Sequence, residues 1–142
     1  MQNNKENTNA FLIHISSFTG YLFPLGSVIT PLIIWQTMKD KSPNLNEHGK
    51  EVLNFNISFS LYMLILGTSI FSFIIKNIWT TLENISIGFN DFYFFNNFFN
   101  VLGIASLISI ITFSKVALII LGAIKANNGE FYKYPLTIKF IK

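Results

Sequence analysis

With 142 residues, 51% of them hydrophobic and 12% charged, and a mean hydropathy of +0.46, the chain carries about half the charge that coats a soluble domain. That excludes an ordinary water-soluble globule and makes lipid part of the solvent. The net charge of +3 comes from ten basic residues that are all lysines, so the bidentate guanidinium of nucleic-acid readers is missing. There is no cysteine, which removes disulfides, thiolate catalysis and zinc-thiolate or iron–sulfur centres.

The fold class that follows is all-α: a polytopic helical membrane protein with about three hydrophobic segments, organised as a polar leader and one integral membrane domain. Residues 1–10 are Asn-rich with only Lys5 and Glu6 charged, and are expected to be disordered. Residues 11–142 form the membrane domain. Its first apolar run, Phe11 to Trp35, is interrupted by Pro24, Gly26 and Pro31. Each proline removes a backbone donor, so two half-helices are expected, joined as a kinked crossing or as a re-entrant hairpin.

Residues 38–50 make a polar loop, and either Ser42 before Pro43 or Asn44 before Glu47 can open the next helix. The second crossing then runs from Leu53 to Ile75, with Lys76 and Trp79 at its far end. Residues 78–97 mix aromatic rings with asparagines and read as an interfacial loop. The third crossing, Phe98 to Ile124, closes with Lys125, Asn128 and Gly129, the last two suited to a left-handed helix end. The tail, residues 126–142, alternates apolar and polar side chains, a pattern of extended chain laid on a surface.

Lysines orient such segments. Lys39, Lys41 and Lys50 flank the first loop and Lys125, Lys133, Lys139 and Lys142 the C-terminal end, against Lys76 alone between the last crossings. The expected location is the cell membrane, multi-pass, with the first loop and the C-terminus cytoplasmic. A kinked first crossing would put the N-terminus outside and a hairpin would put it inside.

Residues able to carry chemistry are sparse. Lys115 stands well inside an apolar segment, where a charge costs about 3 kcal/mol on insertion scales, and is the candidate intramembrane residue. Its alternative is to snorkel to the near interface. Glu47, His48 and Glu51 share a helix face at metal-like spacing, but the only other histidine, His14, falls near the opposite end of a crossing in the three-span arrangement. No metal and no cofactor is expected, and a solvated end with Glu47 paired to Lys50 is favoured. Ser106, Ser109 and Thr112 mark a helix contact rather than catalysis. Glycine-rich phosphate loops, nucleophile elbows and zinc-helix motifs do not occur.

Several polar tokens fall in order around the apolar segments: Leu12-Ile-His-Ile-Ser16 and Gly20; Pro24 and Pro31-Leu-Ile-Ile-Trp35; Glu47-His-Gly-Lys-Glu51 with Leu53-Asn-Phe55; and Ala123-Ile-Lys-Ala-Asn-Asn-Gly-Glu130 with Tyr132-Lys-Tyr-Pro-Leu136. The order resembles a bacterial family of small membrane proteins of unknown function, itself similar to the twenty-kilodalton subunit of the chloroplast inner-envelope import translocon. The chain departs from that family in an aromatic insert, Glu83 to Asn97.

The resemblance implies an integral membrane protein without assigned catalytic residues. It also implies that the two polar stretches form one cytoplasmic cap of Glu47, His48, Lys50, Glu51, Lys125, Asn127, Asn128, Gly129, Glu130 and Lys133, in which Glu47 or Glu51 accepts from Lys125, Asn127 or Lys133. The expected function is a non-enzymatic interaction or assembly protein, with a part in membrane transport or protein translocation as the alternative. Expected partners are membrane lipid and either another protein or a second copy, with no nucleic acid.

Overall fold

The computed structural model describes the backbone of residues 2–85 and 91–142, and the side chains of 4–80, 82, 83 and 98–142. Its helices are α1, Gln2–Ile15, α2, Gly26–Met38, α3, Pro43–Ile85, and α4, Asp91–Asn127, with a 3₁₀ turn, Ser16–Tyr21, between the first two. Among the described residues there is no strand.

The leader is helical from Gln2, not disordered. Ala10 and Ile13 are fully buried at its C-terminal end, and that docking stabilises a helix whose Asn-rich sequence would not hold alone. The 3₁₀ turn forms because hydroxyls compete for carbonyls: Ser16 donates to Ile13 O and Thr19 to Ser16 O, each at 2.7 Å. The chain then reverses. Thr19 Oγ1 also lies 2.7 Å from Gly26 O, its one proton shared between the two carbonyls, and meets Thr30 Oγ1 at 2.9 Å, and a Cβ on Gly26 would stand 2.3 Å from Thr19 O. At the other end Ser42 Oγ donates to the Glu6 carboxylate. The first apolar run is therefore an antiparallel hairpin, with its apex at residues 21–25.

Ser42 is the cap that opens α3, accepting from Asn44 N–H at 3.2 Å, with Pro43 in the first turn. Among the described residues, two helices are long and apolar enough to cross a membrane, Pro43–Thr80 in α3 and Phe98–Asn127 in α4. The first expected segment takes the hairpin form and supplies no third such helix: α2 has 13 residues, about 20 Å at about 1.5 Å per residue, against a hydrocarbon core of about 30 Å.

The expected interfacial loop 78–97 is also corrected, because α3 continues to Ile85 and α4 begins at Asp91. Trp79 Nε1 donates to Glu83 Oε1 at 2.6 Å, one helical turn away, so these polar tokens support helix instead of ending it. Residues 86–90 and the side chains of 84–97, which include most of the aromatic insert, lie outside the described residues.

Helix α4 ends in a Schellman motif: Glu130 N–H donates to Lys125 O at 2.9 Å and Gly129 N–H to Ala126 O at 3.0 Å, with Gly129 at φ 81°.

The chain divides into two compact units, residues 1–61 with 114–142, and residues 62–113. The core belongs to the first and joins Ala10 and Ile13 of α1, Leu45, Val52 and Phe55 of α3, Ile119 and Ala126 of α4, and Tyr134 of the tail. In the second, apolar side chains face outward, Leu64 at 63% exposure and Phe113 at 75%.

Candidate functional site

Within the first unit the polar groups gather inside the core. His14 and His48 are fully buried and Tyr134 almost so. His14 is carried by α1, His48 by the second turn of α3, and Tyr134 by the tail as it leaves the Schellman turn. His14 Nδ1 lies 2.8 Å from the Tyr134 hydroxyl, and His14 Nε2 lies 3.0 Å from His48 Nδ1. The structure therefore corrects the placing of His14 at the opposite end from His48: the hairpin returns α1 to the start of α3.

Tyr134 is held on every side. Its ring stacks on Phe55, with centroids 4.0 Å apart and planes at 12°. Its backbone N–H donates to the buried Glu51 Oε1 at 2.8 Å. The α4 backbone closes the pocket at Gly122, where a Cβ would stand 2.6 Å from the Tyr134 hydroxyl and 2.8 Å from His14 Nδ1. On the other flank Phe131 lies 5.2 Å from the His48 ring, centroid to centroid.

Two proton orders satisfy this row. Either the tyrosine donates to His14, which donates to His48, or the bonds all run the other way. In both, His48 Nε2 is left at the end, buried and without a hydrogen-bond partner. Burial, and then the neighbouring His48 ring, draw His14 down to about 3 from its ordinary 6.5. Burial also pushes the Tyr134 phenol up from its ordinary 10.0, with Tyr132 and Glu51 adding to the shift. A neutral imidazole and a protonated phenol are what the site holds near neutral pH.

The row is a chain and not a cage. Tyr134 and His48 meet opposite nitrogens of one ring, so they do not converge on a common point where an ion could sit. Among the described residues no group of at least three His, Cys, Asp or Glu side chains is placed to hold a metal.

The other singled-out residues fall as follows. Glu47 pairs with Lys50 at 3.0 Å within α3, and Lys125 with Glu130 at 2.9 Å across the end of α4. Asn127, Asn128 and Lys133 are exposed. Gly129 approaches Asn7 of α1, whose Nδ2 would lie 3.1 Å from an added Cβ. Glu51 takes its hydrogen bond from the Tyr134 backbone. Lys115 is buried, with Nζ 4.5 Å from the Phe59 ring centroid, at cation–π distance.

Sequence reasoning singled out Glu51 but missed Asn54, Ser58 and the tail backbone that the three hold. Glu51, Asn54 and Ser58 lie on one face of α3 and bind the tail through its backbone: Ile138 N–H donates to Ser58 Oγ at 2.8 Å, and Phe140 and Ile141 N–H donate to Asn54 Oδ1 at 3.0 and 2.8 Å. The legible signal was polar residues at i, i+3 and i+7 where an apolar run begins. Asn56, on a neighbouring face, donates to Ser17 Oγ at 2.7 Å and ties the hairpin to α3.

No curated protein and no solved structure matches the chain. A family model does, over residues 5–141, and so covers α1, the hairpin, the His14–His48–Tyr134 row and the tail that closes it. The chain belongs to the magnetosome magnetite crystal formation protein family.

Proposed function

We propose that this chain is an integral membrane protein that serves crystal formation, the process its family's description names, as an interaction or assembly subunit and not as an enzyme. The observation that carries the reading is the outward-facing apolar surface of α3 and α4, with Leu64 at 63% and Phe113 at 75% exposure. Water does not tolerate so continuous an apolar surface, whereas acyl chains or a partner's helices cover it. Family membership supplies the setting. The polar row supports a non-catalytic role, because His14, Tyr134 and Glu51 spend their hydrogen bonds inside the fold.

The lysine bias supports a cytoplasmic placement of the first loop and the C-terminus in a cell membrane, since Lys39, Lys41, Lys50, Lys125 and Lys133 all belong to the first unit. The rival is transport or translocation of the kind the translocon resemblance implies.

Alkaline carbonate extraction followed by native mass analysis in mild detergent tests the proposal. Retention in the membrane pellet and a stoichiometric protein partner or defined oligomer is the expected result. Release into the supernatant as a detergent-free monomer overturns it. Ion flux through the purified protein in liposomes overturns it in favour of transport.

A further inference from the structure

We propose that the first unit carries a membrane attachment that does not span: the hairpin apex and the C-terminal tail dip together into one leaflet, leucine and phenylalanine among acyl chains and lysines on anionic headgroups. The inference rests on the membrane reading above and adds a second site of lipid contact to the two long helices.

The hairpin supplies the first half. Glu6 reaches Ser42 at its open end and Thr19 reaches Thr30 near its closed end, so the apex projects away from both termini of the hairpin. That apex is apolar and bare, with Leu22 at 82% and Leu25 at 65% exposure and Phe23 beside them. The tail supplies the second half. Its backbone turns inward to Asn54 and Ser58, which leaves Ile138 and Phe140 outward and Leu136 at 85% exposure.

Two details set these patches apart from ordinary surface. Among the described residues, the non-glycine residues at positive φ are Leu25 and Leu136, at 61° and 58°. Left-handed backbone suits glycine or asparagine, and a leucine there is strained by its Cβ. Exposed to water, such a leucine gains nothing for that strain; in acyl chain it gains burial. Both elements that carry the patches are tied to one turn of α3, the hairpin through Ser17 to Asn56 and the tail through Ile138 to Ser58, two positions on.

Charge selects the occupant. Lys133, Lys139 and Lys142 interleave with the exposed apolar residues of the tail, and an apolar insertion flanked by ammonium groups is how an interfacial segment holds an anionic leaflet. A protein partner for the same surface is an outcome of the test.

The chain has no cysteine, so single variants Leu22→Cys and Leu136→Cys of the full protein can carry an environment-sensitive fluorophore in liposomes of phosphatidylglycerol and phosphatidylcholine. Thr37→Cys, on an exposed position of α2, is the aqueous control, and Leu64→Cys reports the α3 span. Labels at Leu22 and Leu136 are expected to be quenched by doxyl-lipids and shielded from aqueous iodide about three- to tenfold relative to Thr37. Replacing phosphatidylglycerol with phosphatidylcholine is expected to weaken the lipid quenching at Leu136, and an unchanged signal overturns the headgroup assignment.

Iodide access at Leu22 and Leu136 equal to that at Thr37, with Leu64 still quenched by lipid, overturns the inference and leaves the spanning helices standing. Iodide access at all of these positions overturns the membrane reading itself. Shielding without doxyl quenching means that protein covers the patches, and also overturns the inference.

Discussion

His14 Nδ1 and the Tyr134 hydroxyl lie 2.8 Å apart across 120 residues of chain, and the opposite nitrogen of the same ring holds His48. One imidazole thus fastens the tail and the start of α3 to α1. Tyr134→Phe would leave a buried ring nitrogen unpaired, a loss of about 1–3 kcal/mol. His14→Ala would add a cavity, at about 2–4 kcal/mol in all. Because both changes break the same row, the double variant is expected to cost less than the sum by about 1 kcal/mol. Unfolding in detergent micelles, followed by circular dichroism, measures each corner of that cycle, and strict additivity would show that the row is not a unit.

The same row sets a pH window. His14 has a folded value of about 3 against 6.5 unfolded, so the unfolded chain binds the proton first. Stability is complete above 6.5 and falls below it, by up to about 1.4 kcal/mol for each pH unit. Tyr134 is raised above its ordinary 10.0, so the unfolded chain loses that proton first and stability also falls as pH rises past 10. Melting temperature is expected to plateau between about pH 7 and 9.5 and to decline on both sides. In Tyr134→Phe the alkaline decline should shrink, and a profile unchanged at high pH would remove Tyr134 as its source.

Helix identity was legible in the sequence and helix association was not. The apolar runs after Leu53 and Phe98 announced α3 and α4, Ser42 with Pro43 was one of two caps offered for the start of α3, and Asn128 with Gly129 announced the left-handed end of α4. The aromatic stretch misled because Trp79 and Glu83 stand one turn apart and pair along the helix surface, a spacing equally readable as boundary composition. The leader misled because its stability comes from docking Ala10 and Ile13, and local propensity carries no trace of a tertiary contact. His48 and Glu51 were singled out, but the partners they find, His14 and the Tyr134 backbone, come from the far ends of the chain. The hairpin that brings α1 back beside α3 joins the first pair and the tail beyond α4 the second, and nothing in the spacing of these residues encodes either return.

Gly49 is required by its neighbour. A Cβ there would stand 2.0 Å from Trp35 Cδ1, inside the van der Waals envelope of a buried indole whose Nε1 donates to Asn46 Oδ1 at 3.0 Å. Gly49→Ala is therefore expected to push the ring out, break that bond and cost about 1–3 kcal/mol despite the better helix propensity of alanine. In a Trp79→Phe background the emission reports Trp35 alone, and it should shift red. A stabilised variant with unchanged emission would mean that α2 and α3 do not pack as described.

The tail offers a test that separates local from global stability. Asn54 makes three bonds to its last turn, accepting from Phe140 and Ile141 N–H and donating to Ile141 O, while Tyr134 remains anchored upstream by Glu51, Phe55 and His14. Asn54→Ala should therefore release the residues after Ser58's hold on Ile138 and leave the core intact. At about 0.5–1.5 kcal/mol per hydrogen bond, the open state gains population by about tenfold or more. Trypsin cleavage after Lys139 reads that population directly when reclosing is fast. The expected result is faster cleavage at that bond with a melting temperature lowered by only a few degrees, whereas Glu51→Ala, which frees the Tyr134 backbone from inside the core, should lower both together. Equal cleavage rates in Asn54→Ala and the parent chain would show that the side-chain ladder of α3 does not hold the tail.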